Sequence, residues 1–503
     1  MSAACSEDQA APGPPGILRI GIKAPATLDP PLIRDPAGIL IGRQIFEPLL
    51  TFNPRTLELE PALAEKWEVL DGGTRFSFRI RKGAKFHDNK PVTAEDVRFS
   101  LNRLARKDIA SEVAFLLDQV VGFNEVNQDG STSELSGIKA IDAQTVEITL
   151  VAPWVEFPYV LTHPSTAAVP RASIEADVTG FKARPVGSGP YKLAAPPSAK
   201  GVTLTRVSGH ARTPRIPRVD FVAFAQPGSA WESITSGGLD VVEAAPGNIR
   251  AARARFGDQG FKPLAAGLYL GFNLSKIPDL QLRRAISLAI NRTRISQTIY
   301  EGTLLPATGL SPPGLPGRAK DACGPWCRHD PDEARELIKN KFPGGLPSIG
   351  FDYQSGSLQE ALAKAVQADL AEVGLTIELR PRELTQFFEL LDKGDQDLFR
   401  LGWVAEYPLM DWFVSPLFRS GASDNHTSYS VPEVDDLLSK ARSSVKEEER
   451  RSLYESAEKR VMEDLPVIPI GHFRSRFVAV PRVQGFYVDN LGGFEVTRIR
   501  LAT

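Results

Sequence analysis

The sequence predicts an α/β protein of two or more lobes. Segments in which apolar and polar residues alternate take turns with segments of helical period along the whole chain, which is the pattern of strands interleaved with helices. At 503 residues the chain is long enough for about three domains at ~150 residues each, and it can bury large cores without metal or disulfide staples. A hydrophobic fraction of 42% and a charged fraction of 24% are those of a globular protein. The 40 prolines and 41 glycines are spread out and read as many turns.

Residues 1–16 read as a tether. Within it Cys5 follows Met-Ser-Ala-Ala; small residues directly before a Cys resemble the end of a bacterial lipoprotein signal, in which the Cys is lipidated. No basic and apolar leader precedes it, and Ser2 stands where that motif usually has Leu; either the true start lies upstream or Cys5 is an ordinary exposed thiol. Ile17–Ile22 is an apolar run read as a strand that ends at turn residues Pro25 and Leu28-Asp29-Pro30. Residues 38–50 carry helical spacing. TRFSFRIR (74–81) alternates as a half-buried strand, and Lys82-Gly83 turns the chain. Thr93-Ala94-Glu95-Asp96 offers an N-cap with acids in the first turn, and 97–104 continue at helical period. Residues 145–151, 202–207 and 219–224 alternate again. A second block begins near Gly267. A strand at LYLGFNLS (268–275) precedes a stretch with apolar residues at 282, 286, 289, 290, 295 and 299, which fit one helix face. A helix over 358–373, closed by Gly374, is followed by a strand at 376–381, a helix at 383–392 and a strand at 397–406. Helices are expected over 433–442 and 447–462.

Several chemistries are excluded or unsupported. The 59 basic and 61 acidic residues leave a net charge of −2, no electrostatic footprint for nucleic-acid binding. No apolar run reaches the ~18 residues of a membrane span. There is no phosphate loop or dinucleotide fingerprint. Gly187-Ser188-Gly189-Pro190-Tyr191 lacks the spacing of a nucleophile elbow. The six histidines (87, 163, 210, 329, 426, 472) show no zinc spacing. No enzyme, metal site or cofactor is expected. Cys323 and Cys327, in Ala-Cys-Gly-Pro-Trp-Cys, can close a small ring that stabilises by roughly 2 kcal/mol or less and implies an oxidising compartment. Free thiols or two ligands of a metal site are the alternatives, the latter without a second Cys pair or a His at ligand spacing.

The most specific stretch is RIRKGAKFHDNKPVTAEDVRFSLNRL (79–104): a basic-Gly turn, Phe-His-Asp, a Pro and then Ala-Glu-Asp-Val-x-Phe-Ser. It resembles the signature of the family 5 extracellular solute-binding proteins of bacterial ABC importers, typified by oligopeptide- and dipeptide-binding proteins. IFEPLLTFN (45–53), GSGPY (187–191), SGGLDVV (236–242), YLGFNLS (269–275), LRRAISLAINRTRI (282–295), DPDEARELI (330–338), LGWVAEYPLMDWFVSPLF (401–418), YSVPEVDDLL (429–438) and LPVIPIGH (465–472) add to it in the family's order. The resemblance implies a two-lobed, periplasmic-binding-protein-like fold of type II in its three-subdomain variant, with the ligand in a cleft between lobes that close by a hinge. It implies a lobe 1 core from 17–45, 185–265 and 475–503, an inserted subdomain over 46–184, and a second lobe over 266–474. Much of the signature reads as packing: Phe86, Val97 and Phe99 as core, and Gly189-Pro190-Tyr191 as a turn.

The resemblance also singles out the segment Arg400-Leu401-Gly402-Trp403-Val404-Ala405-Glu406-Tyr407. In peptide-binding relatives this strand pairs with the ligand backbone as an added β-strand, a mode blind to side chains, and an acid at its end grips the ligand's α-ammonium. That acid is usually Asp; here it is Glu406, one methylene longer, which either still holds an amine, marks a different ligand class, or faces solvent or a neighbouring Arg. Arg400 matches a position that pairs with a peptide carboxylate in some members, against a structural ion pair with Asp397 or Glu406. Trp403 and Trp412 are expected as pocket walls, with core packing the better reading for one of them, and Asp411 matches a second family acid in a context that lacks the usual first acid and second proline. Leu28 and Asp29 are expected at a first-lobe lip that family ligands touch. The implied function is extracytoplasmic capture of short peptides and delivery to an ABC permease and its ATPase subunits, by a monomer lipid-anchored at Cys5. The alternative keeps the transport role with a sugar, opine, haem or nickel or other metal chelate, for which His426 or His472 could serve. A sensing or chaperone lipoprotein and a hydrolase are further alternatives.

Overall fold

The computed structural model describes residues 14–502; Cys5 and most of the expected tether lie outside the described residues. Two compact units form. The first runs to Lys262 and resumes at Ser475; the second is Pro263–Arg474. Among the described residues no helix is long and apolar enough to cross a membrane.

The first unit is built on a six-stranded mixed sheet. Its strands are β1 (Ile17–Ile22), β8 (Tyr191–Leu193), β9 (Gly201–Arg206), β10 (Arg218–Ala223), β11 (Val241–Glu243) and β18 (Phe477–Ala479), in the order β18-β11-β1-β10-β9-β8. β1 is parallel to both neighbours, and its buried Leu18 and Ile20 join a core with Tyr191, Leu204 and Phe221. A second, four-stranded antiparallel sheet has the order β4-β5-β7-β6, from β4 (Ala64–Leu70), β5 (Arg75–Ile80), β6 (Ile138–Ala140) and β7 (Thr145–Thr149). Two short pairs complete the strands of this unit: β2 (Leu50–Phe52) with β3 (Leu59–Pro61), and β19 (Val483–Gln484) with β20 (Arg500–Leu501). The expected helix over 38–50 is Pro36–Ile45 (α1); its last residues instead lead into β2. The helix after the signature, α2 (Ala94–Ala105), opens with a capping box: Thr93 Oγ1 accepts from Asp96 N–H, and the Asp96 carboxylate accepts from Thr93 N–H at 3.0 Å.

The signature's His87 has a structural job. Its ring Nδ1 accepts from the Gly187 N–H at 3.3 Å, and Nε2 faces the Gly189 carbonyl at 3.0 Å, so Nε2 carries the proton. Burial pushes the ring's pKa down to about 4. Gly187 and Gly189 lie so close to the end of α1 that a Cβ on either would fall 2.1 or 2.5 Å from a backbone oxygen of Ile45 or Gln44. Beneath them Glu47 is fully buried, paired with Arg81 at 2.7 Å and flanked by His210 and Arg212.

The second unit is organised by another six-stranded sheet, in the order β13-β17-β12-β16-β14-β15. Its members are β12 (Pro263–Phe272), β13 (Leu304–Pro306), β14 (Ile349–Gln354), β15 (Ile377–Arg382), β16 (Leu398–Val404) and β17 (Val467–Arg474). β12 is antiparallel to β16 and β17, whereas β14 is parallel to β15 and β16. The apolar stretch expected as one helix over 282–299 is two. It breaks between Ala289 and Arg292, because Asn291 caps a new helix by accepting from Arg294 N–H at 2.9 Å while its own N–H goes to Asp369 at 2.9 Å. Arg292 is buried there and is satisfied by Pro469 and Ser287 oxygens. Apolar periodicity cannot register such a cap.

Cys323 and Cys327 are joined by a disulfide, their Cα atoms 5.6 Å apart. Mass spectrometry of the unreduced protein is expected to find this pair two hydrogens lighter than the dithiol; alkylation of both thiols without reductant would contradict it.

Candidate functional site

Three neighbours decide what β16 can offer a ligand. On one side lies β12, in the register Gly267↔Trp403 and Leu270↔Arg400. Just past the strand, Ala405 N–H donates to the Ala265 carbonyl at 2.8 Å. In an extended chain the backbone groups alternate in direction, so those of residues 401 and 403 also turn to β12, and those of 400, 402 and 404 turn away from it. On that outward side β14 pairs with β16 only at Phe351↔Leu398 and Asp352↔Phe399. Beyond Phe399, among the described residues, no strand covers the edge. The edge is open in space as well: Val404 is 60% exposed, and a Cβ at Gly402 would meet only the Gly267 carbonyl, at 3.7 Å.

The third neighbour is Trp412. Its Nε1–H donates to the Val404 carbonyl at 2.8 Å, and its own carbonyl accepts from Trp403 Nε1–H at 2.7 Å. The two indoles stack with centroids 5.5 Å apart, and Tyr407 meets Trp412 edge-on at 4.9 Å. Polar ends satisfied and faces packed, these rings form a fixed clasp at the end of the strand. Ala405 and Tyr407 are buried in it, while Glu406 between them is half-buried.

Arg400 is half-buried on the same strand. Desolvation pulls its pKa below the usual guanidinium range, and the Tyr300 hydroxyl beside it opposes that shift. The expected structural pair with Asp397 is not made: Asp397 lies 3.4 Å from Lys276 and 3.6 Å from Arg380, and Arg400 Nε is buried without a hydrogen-bond partner. Among the described residues no carboxylate stands at ion-pair distance from Arg400. A largely desolvated cation with no counter-ion is costly unless an anion arrives to meet it.

Other expected residues are used up inside their own units. Asp411 is fully buried and held by Arg442 at 2.8 and 2.9 Å, by Tyr454 at 3.2 Å and by Ser415; it anchors the helix that carries Trp412 and has no face for a ligand. Asp29 is fully buried in a bidentate pair with Arg103 at 2.6 and 2.7 Å, and Leu28 is part of the first unit's core. Neither stands on an open lip: Arg103 covers Asp29, and Leu28 is packed into the core. His472 is buried, with Nε2 3.1 Å from the Leu310 carbonyl, and burial pushes it down to about 4. Burial likewise lowers His426. Among the described residues no group of three or more His, Cys, Asp or Glu is placed to hold a metal. Sequence reading missed Tyr300 and Arg442, since each acts across the fold on a residue about 100 or 31 positions away and leaves no local motif.

Residues 58–425 match the family described as bacterial extracellular solute-binding proteins, family 5 Middle. The chain belongs to this family. Among curated proteins it is 26% identical to the glutathione-binding protein GsiB of Shigella dysenteriae serotype 1, over 93% of this chain and 89% of that one. Among solved structures the family fold recurs in the murein tripeptide binding protein MppA in its unliganded open form, with a TM-score of 0.85 at 22% identity, covering 98% of this chain and 99% of MppA. It recurs in HbpA2 of Haemophilus parasuis, also with a TM-score of 0.85 at 22% identity, covering 97% and 100%. The α/β, periplasmic-binding-protein-like fold expected from the sequence is therefore the one present.

Proposed function

We propose that this chain captures short peptides outside the cytoplasm and delivers them to an ABC permease, with the ligand backbone added as a strand along the open edge of β16. The observation that carries this reading is that edge, covered by β14 only to Phe399, with the counter-ion-less Arg400 beside it. An uncovered strand edge supplies main-chain hydrogen bonds whatever the ligand's side chains. Arg400 takes the ligand's carboxylate, Glu406 its α-ammonium, and Trp403, Val404 and Tyr407 bound the space between. That GsiB and MppA are named for glutathione and a murein tripeptide supports a small peptide over a sugar, opine, haem or metal chelate. Binding and release suffice for this role, with no catalysis and no cofactor. Lipidation at Cys5 would keep the monomer at the membrane that holds its permease.

A thermal-shift screen tests the reading. A ligand specific for the folded state, at 100 times its Kd, adds about 2.7 kcal/mol. Di- to pentapeptides are expected to shift the melt; shifts from sugars or metal chelates and none from any peptide would overturn the proposal. For the anchors, charge-assisted hydrogen bonds contribute about 1.5–3 kcal/mol. Arg400→Met and Glu406→Gln are each expected to weaken peptide binding at least tenfold by calorimetry, and unchanged affinity in either variant removes that residue from the site.

A further inference from the structure

We infer that Trp412 sets the length of the ligand, by closing the β16 edge at Val404; this rests on the strand-addition reading above. Of the backbone groups that turn outward from β16, the Val404 carbonyl is already taken by Trp412 Nε1–H at 2.8 Å. At the other end the pairing with β14 stops at Asp352↔Phe399. What remains runs from the Arg400 carbonyl, through both groups of Gly402, to the Val404 N–H. At about 3.3 Å per residue this run is ~13 Å long, room for about four extended ligand residues. A longer ladder would have to take the Val404 carbonyl from the indole, and an indole N–H left buried without an acceptor is penalised.

The stop is rigid. Trp412 is fixed by the hydrogen bond that its carbonyl accepts from Trp403, by stacking on Trp403 and by the Tyr407 edge. The preceding residue, Asp411, is locked by Arg442. Trp412 therefore acts as a specificity-determining residue: a preset end to the ladder rather than a side chain that yields to whatever arrives.

The experiment is a length series, from di- to hexapeptide of one repeating composition, measured by calorimetry on the wild-type protein and on Trp412→Phe and Trp412→Tyr. Both substitutions keep a stacking ring and remove the indole N–H. Wild type is expected to bind the tetrapeptide best and to lose at least fivefold by the hexapeptide. In the variants the hexa- to tetrapeptide affinity ratio is expected to rise at least fivefold. Wild type binding hexapeptides as tightly as tetrapeptides overturns the inference even if neither variant folds, as does an unchanged ratio in a folded variant. If no peptide of any length binds wild type, it is the peptide reading itself that fails.

Discussion

Arg442→Met is expected to destabilise the second unit by about 3–5 kcal/mol near neutral pH, the cost of leaving a buried charge without its partner. Asp411 has no exposure to solvent. Burial alone would raise its pKa, yet the Arg442 guanidinium, with Ser415 and Tyr454, holds it below the usual carboxylate range. Without Arg442 the carboxyl can stay buried only by taking a proton. The defect should therefore shrink on acidification, and Asp411→Asn in the same chain should restore much of the loss. Thermal and urea unfolding measure it. A loss under about 1 kcal/mol would show that Asp411 is reached by water and that the clasp around Trp412 has another anchor. Because Trp412 follows Asp411 directly, peptide affinity is expected to fall along with stability.

Acid should weaken both units, through different groups. In the second unit His472 is buried and neutral, its pKa pushed down from 6.5 to about 4. The unfolded chain binds a proton at that ring between pH 6.5 and 4 and the folded one does not, so stability present above pH 6.5 is lost as pH falls toward 4. A difference of that size is worth about 3 kcal/mol. His87 acts in the same direction and window in the first unit. Glu47 follows at lower pH. Burial opposes its charge, but His210, Arg212 and Arg81 outweigh burial and bring it from 4.5 to about 2. Its contribution is present above pH 4.5 and is lost as pH falls through about 2, again about 3 kcal/mol. The first unit should thus lose stability in two steps, the upper from His87 and the lower from Glu47; in the second unit Asp411 adds a lower step to that of His472. Melting followed from pH 8 to 2 checks this; a pH dependence between 6.5 and 4 left unchanged by His87→Gln and His472→Gln would mean that neither histidine is buried as described. His472→Gln should shrink the upper step of the second unit, which His426 shares, and leave that of the first unit unchanged.

Much of this architecture was written locally. TRFSFRIR alternates because one face of β5 packs Phe76, Phe78 and Ile80 inside while Arg75, Ser77 and Arg79 face outward or sit half-covered, and Thr93 with Asp96 marks the start of α2 in four residues. β4 was silent because its AEKWEVL face is largely solvated, so no alternation records it. The strand β16 was singled out through family resemblance rather than through its own chemistry. What the resemblance could not tell is which acids are already spent. Asp29 and Asp411 are spent on Arg103 and Arg442, which arrive from elsewhere in the chain and leave no local trace. Arg400 is the converse: a plausible partner lay three residues away in Asp397, yet that carboxylate turns to Lys276 and Arg380.

The second unit opens at Pro263 and ends at Arg474, and these two residues are register partners in neighbouring strands. Both ends of an entire lobe meet at one spot, as a loop's do. The outer unit, by contrast, draws the β18 edge strand and core residues Phe494, Val496 and Ile499 from beyond Ser475. On a ribosome working from the N-terminus, every residue of the inner lobe has been made before the outer lobe receives its closing pieces. The order of manufacture is therefore inside first, and a nascent chain stalled or clipped near its end would carry a complete inner lobe on an unfinished host.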